Sequence, residues 1–169
     1  GMLKPALACP DPVLIFEHIS LYNVTGPLSG EWRSADLDRA AIRRPGRDLS
    51  IFTYGASLAK SLAAAAELAA TGIEAEVVDL RTLRPLDDAT LVASVQRTRR
   101  ALVVDEGWKS GGLSAELMAR IVEQAFYDLD APPARVCSAE VPIPYPRHLE
   151  EAALPGVAGI VTAARRLVA

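Results

Sequence analysis

An α/β fold, a mostly parallel open sheet with helices on both faces, follows from three observations. Strand and helix patterns alternate from Asp48 to the end of the chain. The strand candidates are short apolar runs rather than polar–apolar alternations, as strands covered on both faces require. The 50% hydrophobic content comes mostly from Ala, Leu and Val, with only 5% aromatic residues, which suits helices packed on an aliphatic sheet.

Taken in order, Leu49–Tyr54 reads as a β-rich strand ending at Gly55. A helix follows, with Ser57 as N-cap, apolar Leu58, Leu62, Ala65, Leu68 and Ala69 at three- and four-residue spacing, and Gly72 as a left-handed stop. Ala75–Leu80 is the second strand, and Arg81–Leu86 is the loop to a helix capped by Asp87 and carrying Leu91, Val92 and Val95. Ala101–Asp105 is a third, buried strand. Leu113 to about Phe126 is amphipathic, and Ala134–Ser138 is a fourth strand. Pro142, Pro144 and Pro146 forbid central strand or regular helix and imply an extended surface segment. A last helix spans about 157–168.

The first 47 residues fit this alternation poorly. Val13–Phe16 looks like one buried strand without neighbours to pair with. Asn23–Arg47, rich in Gly, Pro, Ser and charge, resembles a linker. The expected division is therefore 1–47, the tail of a preceding domain plus linker, and 48–169, the α/β domain.

Charge and composition exclude several function classes. With 18 Lys+Arg against 21 Asp+Glu and a formal charge of -3, there is no general attraction to nucleic acid or anionic lipid. No apolar run reaches the roughly 20 residues that span a bilayer, and the amino terminus lacks the pattern of an export signal. Cys9 and Cys137 form neither a disulfide framework nor a zinc spacing. The expectation is a cytoplasmic protein.

Candidate site residues cluster after strands, where open α/β sheets present their ligand sites. Gly55 and Ser57 form a strand-to-helix turn, but without GxGxxG or GK[ST] a simple tight turn is favoured over a phosphate site. Asp105, Glu106 and Gly107 follow the third strand. Adjacent carboxylates cannot both face one cleft, so one caps or pairs locally while the glycines permit close packing. His18 and His148 show no triad spacing and read as structural or surface groups. Arg97, Arg99 and Arg100 close a helix, where cations complement its dipole.

Asp79-Leu80-Arg81-Thr82-Leu83-Arg84-Pro85-Leu86-Asp87 resembles the signature of the transketolase-like carboxy-terminal domain, in the form carried by beta subunits of 2-oxoacid dehydrogenases of the pyruvate and branched-chain type. Three further segments carry the resemblance in order: Asp105-Glu106-Gly107-Trp108 with Gly111-Gly112, Asp130-Ala131-Pro132, and Val141-Pro142-Ile143-Pro144-Tyr145. Upstream, Asp11–His18 with Leu21-Tyr22 resembles the last strand of the pyrimidine-binding domain of the same subunits. The resemblance implies an oxidoreductase component whose alpha and beta subunits together bind thiamine diphosphate and magnesium. It implies no cofactor or catalytic residue in this chain, because the acid that activates the cofactor lies in the earlier part of the beta subunit. It further implies a homo-oligomeric contact with a second beta subunit, and docking to the subunit-binding domain of the acyltransferase, with Arg165, Arg166 and the Ala169 carboxylate as the candidate surface. An independent ligand-binding or regulatory module, or half of a split thiamine-diphosphate enzyme, are the competing readings.

Overall fold

The computed structural model describes residues 1–26 and 35–169. One five-stranded sheet organises them, built from β1 (Ala41–Arg44), β2 (Leu49–Thr53), β3 (Ala75–Asp79), β4 (Ala101–Trp108) and β5 (Ala134–Ser138). Their order is β1-β3-β2-β4-β5, with β1 antiparallel to β3 and all other pairs parallel. The helices are α1 (Leu3–Ala8), α2 (Ser57–Ala69), α3 (Asp88–Thr98), α4 (Leu113–Ala125), α5 (Arg147–Ala153) and α6 (Val157–Val168).

Two aliphatic layers flank the sheet. Leu49, Ile51, Val77, Leu102 and Val104 meet Ala64, Leu68, Ile160 and Ala164 of α2 and α6. Phe52, Val78 and Val103 meet Leu91, Val95, Leu117 and Ile121 of α3 and α4 on the opposite face. Both faces of β2 and β3 are thereby covered, which explains why their sequences are apolar runs. Each fully buried Leu, Ile or Phe contributes about 1.5–3 kcal/mol relative to exposure. The predicted mostly parallel sheet with helices on both faces is what the chain forms.

Local signals explain most boundaries. Gly72, at φ +86°, ends α2, and the Asp87 carboxylate accepts from the Thr90 amide to cap α3. The cap also reaches out of its helix, since Asp87 Oδ2 accepts from Ala40 N at 3.0 Å and anchors the approach to β1. Asp79, at the other end of the nine-residue signature, accepts two bonds from the Arg43 guanidinium of β1, at 2.8 and 3.0 Å. The signature thus holds the edge strand from both ends.

Several expectations are corrected. Ala56, not Ser57, stands at the N-cap of α2 with helical angles and no side-chain cap bond. The helix starts one residue earlier than the Ser57 reading, which puts that hydroxyl inside the first turn. Val13–Phe16 forms no strand, and its four side chains are exposed rather than buried. Within the expected linker, residues 27–34 lie outside the described residues, while Ala41–Arg44 pairs with β3 as an edge strand. Arg43 and Arg44, which gave that stretch its linker-like charge, find Asp79 and Glu74. The proline-rich segment 139–146 is irregular as expected, but it leads into α5, which starts directly after Pro146, a residue suited to a helix entrance.

A polar thread crosses the α3 face. Thr98 Oγ1 and Ser50 Oγ lie 2.6 Å apart, Ser50 Oγ and Ser94 Oγ 2.6 Å, and Ser94 donates to Glu76 Oε1 at 2.5 Å. Glu76 is only 2% exposed and also receives Arg97 Nη2 at 2.6 Å. Arg100 extends the same region, donating from Nε to the Leu167 carbonyl at the end of α6. A buried carboxylate is tolerated because it is both paired and hydrogen-bonded.

Candidate cleft at the ends of β2 and β4

The chain leaves β2 for β3 on one side and reaches β4 on the other, so the connections diverge between β2 and β4. Open α/β sheets bind ligands in the crevice outside the carboxyl ends of strands at such a point. Tyr54-Gly55 follows β2, and Asp105–Trp108 ends β4 with a register irregularity after Asp105. Gly55 takes φ +59°, a left-handed conformation natural to glycine, which turns the chain into α2.

Strand alternation sends the two carboxylates apart. Asp105 is fully buried. Its Oδ1 accepts from Tyr54 Oη at 2.7 Å and from Gly107 N at 2.8 Å, and its Oδ2 accepts from Ser114 N at 3.0 Å. Gly112 at the N-cap of α4 has no side chain to offer, so Asp105 caps that helix from the neighbouring strand. Gly112 cannot carry a side chain, because a Cβ there would meet the Trp108 carbonyl oxygen at 2.1 Å. Burial first, and then the hydrogen bond to Asp105, push the Tyr54 phenol well above the ordinary tyrosine range.

Glu106 points to the other face. Its Oε1 receives Lys60 Nζ of α2 at 3.1 Å, and its Oε2 lies 2.9 Å from His18 Nε2. Ser138 Oγ of β5 donates to the Glu106 carbonyl at 2.6 Å. From sequence, one of the two was expected to cap or pair locally; in the structure Asp105 caps α4 and Glu106 pairs with Lys60 and His18. Gly55, Asp105, Glu106 and Gly107 share one end of the sheet. Ser57 is buried behind them, and its hydroxyl finds no hydrogen-bond partner.

An open cleft of about 420 Å³ lies beside this turn, lined by Tyr54 and Gly55 and by Phe16, Glu17, His18, Leu21 and Tyr22 of the amino-terminal segment. What sequence reasoning missed is the contact that holds His18, read there as a structural or surface group, at this cleft. Its partner is 88 positions away, and no local spacing signals the contact. Ser20 Oγ lies 2.8 Å from His18 Nδ1, so a hydroxyl, an imidazole and a carboxylate do stand in sequence. The Ser20 amide also donates to that Nδ1, which makes the group a side-chain cap of the 3-10 turn Ile19–Leu21 rather than a nucleophile and base. Among the described residues no group of three or more His, Cys, Asp and Glu could hold a metal ion, and no helix is long and apolar enough to cross a membrane. Arg165 and Arg166 are exposed on the last turn of α6, next to Ala169.

Residues 38–160 match the family model of the transketolase carboxy-terminal domain. The pyruvate dehydrogenase E1 component subunit beta, mitochondrial, of Drosophila melanogaster is 42% identical over 173 residues, covering 99% of this chain and 47% of that protein. Subunit beta-1 of the same mitochondrial component in Arabidopsis thaliana is 43% identical, with coverages of 98% and 47%. A solved split-gene transketolase, described as an inactive beta4 tetramer, superposes with a TM-score of 0.71 at 28% identity, over 80% of this chain and 44% of that one. The chain spans about half the length of the curated relatives it matches. The mitochondrial designation of both relatives overturns the cytoplasmic expectation. Two unpaired cysteines report on redox conditions, which do not tell one reducing compartment from another.

Proposed function

The chain belongs to the transketolase carboxy-terminal-domain family, in the form carried by pyruvate dehydrogenase E1 beta subunits, and from that premise we propose that it is the assembly-bearing carboxy-terminal part of such a subunit. In this reading, residues ahead of the sheet are the tail of a pyrimidine-binding domain and the sheet domain builds contacts to a second beta subunit and to an alpha subunit. Thiamine diphosphate and magnesium belong to the assembled oxidoreductase, where the cofactor supplies the carbanion-stabilising chemistry. Both cleft carboxylates of this chain are already engaged, Asp105 by three donors and Glu106 by Lys60 and His18. No step of that chemistry is assigned to them, and the chain alone is inactive in this proposal.

One observation carries the reading. The amino-terminal segment lies at the cleft with its apolar side chains turned to solvent: Leu14 is 83% exposed, Phe16 90%, Ile19 78% and Tyr22 66%. Clustered apolar exposure of this kind marks an interaction face, and its place is where the rest of a beta subunit would continue. The exposed end of α6, with Arg165, Arg166 and Ala169, is the proposed docking point for the subunit-binding domain of the acyltransferase. A second reading, half of a split thiamine-diphosphate enzyme, is favoured by the likeness to the split-gene transketolase.

Calorimetry with thiamine diphosphate and magnesium tests both. No binding by the chain alone, with binding once an amino-terminal beta fragment and an alpha subunit are added, supports the proposal. Binding by the chain alone refutes it. The split reading requires that the fragment be encoded and purified as a separate chain and still restore binding.

A further inference from the structure

Among the described residues, one polar joint ties the amino-terminal segment to the sheet domain, and its wiring depends on a proton. His18 Nδ1 receives the Ser20 amide at 3.3 Å and faces Ser20 Oγ at 2.8 Å, while Nε2 faces Glu106 Oε2 at 2.9 Å. A main-chain amide can only donate, so Nδ1 must present a lone pair. With Nδ1 as acceptor, the ring hydrogen sits on Nε2, from which it donates to Glu106.

We infer that His18 is a proton-operated joint, holding the segment to Glu106 while switching the turn Ile19–Leu21 between capped and uncapped states. A proton taken up at Nδ1 points at the Ser20 amide and removes its acceptor. The Ser20 hydroxyl can reverse and accept from Nδ1, but the amide cannot. The Nε2 contact to Glu106 meanwhile becomes an ion pair between opposite charges, which strengthens it. Acid thus tightens the segment at one point and loosens the turn that carries Ile19 and Tyr22, two of its most exposed apolar residues. The charged groups around the ring are few. Glu106 from β4 faces it directly, and Lys60 from α2 shares that carboxylate. Glu17 is turned to Tyr22 Oη at 2.6 Å, and Asp105 is turned to Tyr54 and Ser114. The inference concerns contacts within this chain and stands whether or not the proposed assembly forms.

Nuclear magnetic resonance on the whole 169-residue chain tests it directly. At pH 8 the ring nitrogens of His18 should report the Nε2–H tautomer. On lowering the pH to 5.5, protection of the Ser20 amide, relative to its intrinsic exchange rate, should fall about tenfold, the order expected for losing a cap. In His18→Asn, whose side-chain oxygen caps at any pH, that fall should vanish. An Nδ1–H tautomer at pH 8, a Ser20 amide indifferent to pH, or an equal fall in His18→Asn would each overturn the inference. The first two outcomes are read on the unsubstituted chain, so they do not depend on the variant folding.

Discussion

Replacing Asp105 with Asn separates the cap on α4 from everything else that the cleft does. The substitution keeps the shape of the side chain and the acceptor that serves Tyr54 Oη and Gly107 N at 2.7 and 2.8 Å. It places an NH2 group against Ser114 N, formerly 3.0 Å from a carboxylate oxygen. Two donors then face each other in a fully buried position. Leaving a buried donor without its acceptor costs about 1–3 kcal/mol, and loss of the charge near a helix amino terminus adds about 0.3–1 kcal/mol. A total near 2 kcal/mol corresponds to a drop in Tm of about 4–8 °C for a chain of this size. The assay is thermal and urea unfolding followed by far-ultraviolet circular dichroism at pH 7. Glu106→Gln is the internal control, because its partners are partly solvated and a pair of that kind is worth at most about 1 kcal/mol. If Asp105→Asn melts within about 0.5 kcal/mol of the parent, the carboxylate does not cap α4 and the account of this turn is wrong.

Three other outcomes follow from the same geometry. Gly112→Ala should destabilise the chain by more than about 2 kcal/mol, since its Cβ would sit 2.1 Å from the Trp108 carbonyl oxygen, and Gly107→Val should disturb folding or association because even a Cβ there comes within 3.1 Å of Asp105 Oδ1; urea midpoints of the two variants check this. The folded state raises the Tyr54 phenol above its ordinary value, so its stabilising contribution is complete below about pH 10 and is lost as the pH climbs through the raised value; in an ultraviolet titration, Tyr54→Phe should remove the most alkaline tyrosine step. Arg97→Ala should cost about 1–2 kcal/mol by leaving Glu76 a buried charge with Ser94 as its remaining donor, the figure being reduced because the guanidinium is about half exposed; the loss should disappear in an Arg97→Ala, Glu76→Leu double variant.

The parts of the fold that were legible in the sequence are those governed by local rules. Gly72 and Asp87 announce a helix end and a helix start through their own backbone and side-chain chemistry. The strands 75–79 and 134–138 are bounded almost to the residue, because an apolar run covered on both faces has little else it can be. The edge strand 41–44 was not legible, since its four residues include two arginines whose partners, Asp79 and Glu74, lie more than 29 positions away. At the cleft, alternation along β4 foretold that Asp105 and Glu106 would part. It did not say which would be buried, because that depends on Tyr54 and on the amide of Ser114, contributed by β2's end and α4. The contact between His18 and Glu106 stayed invisible for the same reason. Val13–Phe16 shows the converse failure, where apolar content suggested a buried strand and the described residues provide nothing to bury it against.

The thread from Thr98 through Ser50 and Ser94 to Glu76, with Arg100 on the end of α6, lies at the beginnings of the central strands, opposite the cleft. Aliphatic layers tolerate small slides of a helix over a sheet, but a row of directional bonds does not. The domain therefore resembles a book bound along one margin, with α3 and α6 stitched to the sheet at the spine. Any rearrangement that accompanies assembly is expected to fall on the amino-terminal segment, which the His18–Glu106 contact ties to the cleft, and to leave the spine fixed.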